Sequence, residues 1–240
     1  AARDGVSFGR VPTSIGVDFA PLKNRTFGVD NPLIVAQFRT GSGLPNAAPA
    51  VGPVVLNEIM YHPVTGSGTN LAENTHEEYV ELFNMTSNSV SLYDSLATTN
   101  HWKLGGDVDY AFPASVTLPA GGFLVVANFD PSTNATALAN FRSKYNVATS
   151  VPVYGPYDGH LNNAGGSLGL YQPDTPQIPP HPDAGFVPYV VVEQVNYTDS
   201  LPWPAGADGT GLSLQRTVLG SYANDPLNWT ACAPNPGTRN

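Results

Sequence analysis

Acidic residues set among apolar neighbours are where this chain could do chemistry. His76-Glu77-Glu78-Tyr79-Val80-Glu81-Leu82-Phe83-Asn84 carries three carboxylates and a histidine, and Val54 to His62 carries a fourth carboxylate, Glu58. A zinc protease needs two histidines four apart around a glutamate, and no second histidine follows His76, which therefore reads as a solvated loop residue. Glu58, Glu78 and Glu81 are the candidates for a glycosidase pair, which requires two carboxyls roughly 5–10 Å apart across an open cleft. Inside a sheet the same side chains serve better as acceptors for backbone or hydroxyl donors. No catalytic residue is assigned.

The remaining candidates are binding groups. Asp107 and Asp109 beside Gly105-Gly106 offer two carboxylates and loop carbonyls to Ca²⁺, the one cofactor considered, although helix-loop-helix calcium spacing is absent. Their competing reading is a solvated strand edge. Trp203, between Pro202 and Pro204, is grouped with Tyr157 and Tyr197 as a ligand-contact surface of the kind that stacks on sugars; packing beneath a loop is the competing reading. Trp102, before Lys103-Leu104, reads as a core anchor. Asn24, Asn84, Asn134, Asn196 and Asn228 each begin an Asn-x-Ser/Thr triplet, frequent by chance in so Asn- and Thr-rich a chain. The lone Cys232 has no disulfide partner and reads as a small buried residue. No Ser/His/Asp arrangement, phosphate-cradling glycine loop or Cys/His cluster stands out.

Short strands must position these groups. In His76–Asn84, Val80 and Leu82 point to one side and Tyr79, Glu81 and Phe83 to the other, so the strand is covered on both faces. Val54–His62 is its expected partner, and the Glu and Asn in each run point to polar groups paired within the sheet. Further strands are read at Val90–Tyr93, Trp102–Leu104, Val108–Phe112, Val116–Leu118, Phe123–Ala127, Val151–Tyr154, Ser167–Tyr171, Tyr189–Tyr197 and Leu212–Arg216. Asp130-Pro131 is read as the start of one helix with Leu138, Phe141 and Tyr145 on a single face. Pro173 to Pro188 reads as a surface loop and Asn224 to Asn240 as an irregular tail. With no βαβ alternation visible, the expected fold is all-β: an antiparallel sandwich with one short helix, preceded by an N-terminal arm.

Composition agrees. Among 240 residues, 24 Gly and 23 Pro favour turns over long helices, and charged residues make up only 12%. The net charge of −9 is uneven: residues 1–52 hold five Lys/Arg against three Asp, while residues 53–240 hold five against sixteen Asp/Glu. So acidic a body excludes a nucleic-acid surface. No stretch is long enough for a membrane helix and no signal peptide opens the sequence, so membrane insertion is not expected and a secretion signal would be removed or lie upstream. Pro45, Pro49 and Pro53 mark a linker, dividing the chain into an arm, 1–52, and a body, 53–240.

Asn57-Glu-Ile-Met-Tyr61, Glu78-Tyr-Val-Glu-Leu-Phe-Asn84, Trp102-Lys-Leu104, Phe112-Pro113, Pro119-Ala-Gly-Gly-Phe-Leu-Val-Val126, Pro202-Trp-Pro204, Ala207-Asp-Gly-Thr-Gly-Leu-Ser-Leu214 and Asn228-Trp229 with Pro236-Gly237 and Asn240 resemble the lamin-tail domain family. They are similar in particular to its bacterial secreted branch, over residues 53–240. The resemblance implies an immunoglobulin-like sandwich without catalytic residues, set in an exported multidomain protein at the cell surface or outside it. The implied partners are other domains of the same chain or copies of itself, with a cell-surface glycan as the alternative. Against that background Gly5-Val-Ser-Phe-Gly-Arg10 echoes Gly211-Leu-Ser-Leu-Gln-Arg216, and Gly28-Val-Asp-Asn31 echoes Pro236 to Asn240. Residues 1–40 are accordingly expected to be the closing segment of a preceding related module, or a strand that packs on this one.

Overall fold

The computed structural model describes residues 5–25, 46–64 and 75–240. Two sheets face each other. The first has six strands in the order β10-β9-β4-β3-β14-β15: β3 is Val54–Met60, β4 Tyr79–Asn84, β9 Phe123–Ala127, β10 Val153–Tyr154, β14 Ser213–Arg216 and β15 Trp229–Cys232. The second runs β11-β7-β6-β12-β13: β6 is Lys103–Gly106, β7 Val108–Ala111, β11 Asp158–Gly159, β12 Gly165–Pro173 and β13 Tyr189–Thr198. β5, Val90–Ser91, and β8, Thr117–Leu118, form a small pair beside them. Leu56, Val80, Leu82, Val126 and Leu214 from one sheet meet Leu104, Leu168, Leu170 and Val195 from the other, with Trp102, Trp203 and Trp229 in the same cluster. The fold is an immunoglobulin-like β-sandwich.

The inner strands β3 and β4 are buried along their whole length. A strand alternates its side chains, so a second layer must cover the outer face. The helix α1, Ala135–Tyr145, covers half of it: Phe141 and Tyr145 pack on Met60, Tyr79, Val125 and Ala127. β3 reaches both layers through a bulge. Its register with β4 slips between Leu56 and Glu58, so Val54 and Leu56 face the core before Asn57, and Ile59 and Tyr61 face it afterwards. Glu58 and Met60 are thereby turned outward.

Several expectations are corrected. His76 and Glu77 lie in a 3-10 turn, Thr75–Glu77, and the strand begins at Tyr79. The helix starts after Asn134, whose side chain accepts from Ala137 N at 3.0 Å; Asp130 instead closes the preceding turn, accepting from Ser132 N. β9, α1 and β10 form one βαβ crossover with a parallel pair, Val125 beside Val153. The strand itself was expected at Val151–Tyr154; what its spacing does not carry is the parallel direction of its pairing. The tail contains β15, and the arm contains a hairpin of β1, Phe8–Thr13, and β2, Gly16–Pro21. Cys232, read as buried, is exposed at the end of the edge strand β15. Ile34–Phe38, Gly28–Asn31 and most of the Pro63–Thr75 loop lie outside the described residues.

One ion pair ties the sheets together. Arg216 on β14 donates to Glu193 of β13 at 2.6 Å, and both are buried. Glu193 also accepts from Leu56 N at 2.6 Å, and Arg216 donates to the Leu56 and Ser221 carbonyls. Truncating one partner strands a buried charge, so Arg216→Ala is expected to cost about 3–5 kcal/mol, read from urea midpoints, and Arg216→Met with Glu193→Gln to recover part of it.

Candidate functional site

β3 and β4 place Glu58 and Glu81 directly opposite each other. The outward turn after the bulge and the alternation of β4 put both side chains on the outer face, beyond the edge of α1. There they meet donors. Glu58 Oε1 accepts from Tyr79 OH at 2.7 Å, Gln215 Nε2 at 3.1 Å, Asn235 N at 3.2 Å and the Ser213 hydroxyl. Glu81 accepts from Asn57 Nδ2 at 2.7 Å and from Gly237 N. The C-terminal segment lies across the pair, and Asn240 ties its end to β3 by donating to the Asn57 carbonyl at 2.9 Å. Both carboxyls are 0% exposed. The two acids predicted from sequence are thus brought together, with side chains and tail backbone where a glycosidase would hold substrate and water.

Burial raises both carboxyls above the ordinary range. For Glu81 loss of hydration is the largest cause, reinforced by Glu58, and the donors Asn57 and Gly237 pull back only part of it, leaving it at about 8. Glu58 is raised by burial against four opposing hydrogen bonds, those from Ser213, Tyr79, Asn235 and Gln215.

The third acid is elsewhere. Glu78, also buried, accepts from Tyr157 OH at 2.7 Å and Leu161 N at 3.1 Å, fastening the residues on either side of β11 to the start of β4. Glu77 pairs with Lys144 of α1, and exposed His76 lies edge-on to Phe129.

The ligand-contact aromatics are corrected by the structure. Trp203, Tyr157 and Tyr197 are all buried. Trp203 lies 6.2 Å from Trp229 between ring centroids, and Tyr197 lies 4.8 Å from Tyr61. Their apolar area closes the sandwich core rather than facing a sugar. Asp107 accepts from Ser167 N at 3.2 Å, and a side chain at Gly166 would collide with its carboxylate, which is why glycine stands there. Asp109 is exposed and lies opposite Asp158 in the β7–β11 pair. Among the described residues no group of three or more His, Cys, Asp or Glu converges to hold a metal ion.

Sequence reasoning missed Glu193, Arg216 and the His62–Asp208 pair. The signal for the first was present: a single acid closing the run Val190-Val191-Val192 needs a buried partner.

Comparison with known proteins adds one relationship. The family model described as Lamin Tail Domain matches residues 47–175, just over half of the chain. No curated protein matches it.

The raised Glu81 carboxyl carries a sign. Its proton is held more tightly folded than unfolded, so its stabilising effect is complete below pH about 4.5 and is lost as pH rises through about 8. Stability is expected to fall across that window, by at most about 1.4 kcal/mol per pH unit, and the thermal midpoint with it. Glu81→Gln, which keeps the shape and cannot ionise, is expected to flatten the slope in calorimetry from pH 5 to 8.

Proposed function

The chain belongs to the lamin tail domain family, a non-enzymatic immunoglobulin-like fold, and from this premise we propose that it is a structural and interaction module of an exported multidomain protein. One observation carries the reading: Glu58, Glu78 and Glu81, the acids that could do chemistry, are all buried and serve as acceptors for strand, loop and tail donors. A carboxyl so engaged holds structure together and meets no substrate.

The module acts through its surface. Its body is strongly acidic and its arm carries a small positive excess, and opposite potentials steer encounter and fix orientation between neighbours. In this reading the module holds adjacent domains, or copies of itself, at the cell surface or outside it. The glycan alternative loses its three aromatic residues to the core.

Sedimentation of the intact chain from low to high salt tests the electrostatic part. Association that weakens as the screening length falls from about 30 Å at 0.01 M to about 3 Å at 1 M is expected. Association unchanged over that range removes charge from the account.

A further inference from the structure

The N-terminal hairpin repeats the last two strands of the sandwich in the placing of one apolar residue, one arginine and the aromatic opposite it. In β14–β15, Leu214 lies opposite Ala231 and Arg216 opposite Trp229. In β1–β2, Phe8 lies opposite Pro21 and Arg10 opposite Phe19. The sequence echo Gly5-Val-Ser-Phe-Gly-Arg10 for Gly211-Leu-Ser-Leu-Gln-Arg216 sets the same alignment independently. Each hairpin therefore has an arginine facing a cross-strand aromatic, with an apolar residue two positions before the arginine on the same face.

Burial separates them. Leu214, Arg216 and Trp229 are 0%, 1% and 4% exposed, because that face closes the sandwich core and Arg216 finds Glu193 on the opposite sheet. Phe8, Val17 and Phe19 are 37%, 62% and 70% exposed, and Arg10 lies among them, exposed. The other face of the hairpin is the one that docks here: Val11, Ala20 and Leu22 pack with Tyr222. Ser14 N donates to Asp225 at 3.1 Å and Asn224 Nδ2 to Asp18 at 2.8 Å. The hairpin thus rests on the loop joining β14 to β15, with Arg10, Val17 and most of Phe19 exposed and the rings of Phe8 and Phe19 bordering a groove along β13.

We propose that β1–β2 is the closing hairpin of a second sandwich of this same fold, and that the face formed by Phe8, Arg10, Val17 and Phe19 is the surface on which that sandwich shuts. The occupant is a related module lacking its own last two strands, with a carboxylate at the place of Glu193 to receive Arg10. Burying an arginine in an apolar face without such a partner is too costly. One hairpin then belongs to two modules, closing one and standing on the other. This deepens the reading of the chain as a structural module by naming its neighbour, and that broader reading survives if the hairpin's role is overturned.

Two measurements on the intact chain test it. In the first, Phe8→Ser with Phe19→Ser is expected to leave the thermal midpoint within about 2 °C of the parent, since those rings lie outside this module's core. A larger fall, each 2–4 °C of it being about 1 kcal/mol for a chain this long, places them in the core and overturns the proposal. In the second, the probe is residues 46–211 of this chain, which lack β14, β15 and the tail. The intact chain is expected to capture the probe as a one-to-one complex in size-exclusion chromatography. Arg10→Ala in the chain, or Glu193→Gln in the probe, is expected to weaken capture at least tenfold. Failure of the chain to capture a probe that the peptide 212–240 does complement overturns the proposal. The thermal measurement reads out whether or not the probe folds.

Discussion

Strands buried on both faces have no solvent to receive a misplaced charge, and β3 and β4 are such strands. Each carries a glutamate on its outer face. That pair sets the requirement that the rest of the first sheet meets. Leaving two carboxyls unmatched beneath a protein layer costs several kcal/mol each. Tyr79, Ser213, Gln215 and Asn57 supply side-chain donors, and Asn235 and Gly237 supply backbone N–H groups. The C-terminal tail is therefore a structural layer beside α1, although it has almost no regular secondary structure beyond β15.

The same logic operates between the sheets. Glu193 takes the Leu56 amide just before the bulge in β3 and the Arg216 guanidinium from β14. A bulge, an inward acid and a buried arginine thus fix how the two layers register. Apolar contacts alone tolerate sliding, whereas a charge-assisted bond at 2.6 Å does not. Buried ion pairs contribute little net stability against a well-packed apolar replacement, so this one is better understood as setting geometry. Glu58, Glu78, Glu81 and Glu193 each accept bonds from distant parts of the chain.

The hairpin extends this to the boundary of the module. A face of apolar residues around one arginine is costly to leave in water and specific in what it accepts. Its other face is held by polar bonds to Asn224 and Asp225, in the loop between β14 and β15. Two modules joined in the proposed way would share strands, and their spacing would follow from hairpin geometry instead of linker length.

Much was legible in sequence because it follows from a period of two. Alternation assigned Val80 and Leu82 to one face and Glu81 to the other, and polar residues in both inner runs announced their pairing. The helix face of Phe141 and Tyr145 was readable from the longer helical period, since apolar residues at regular spacing need a common surface, and Trp102 from its place before Lys103-Leu104. What alternation does not carry had to come from the tertiary structure. The bulge at Asn57 reverses the parity of β3, and one inserted residue is invisible in a run apolar on both sides. β15 is too short for a period and exists because β14 pairs with it, and the strand read at Val151–Tyr154 carried no sign of its parallel pairing with β9. Trp203, Tyr157 and Tyr197 carry no local mark of burial, because their cover comes from residues distant in the chain. Local spacing determines which way a side chain points; only the packed fold decides what it meets there.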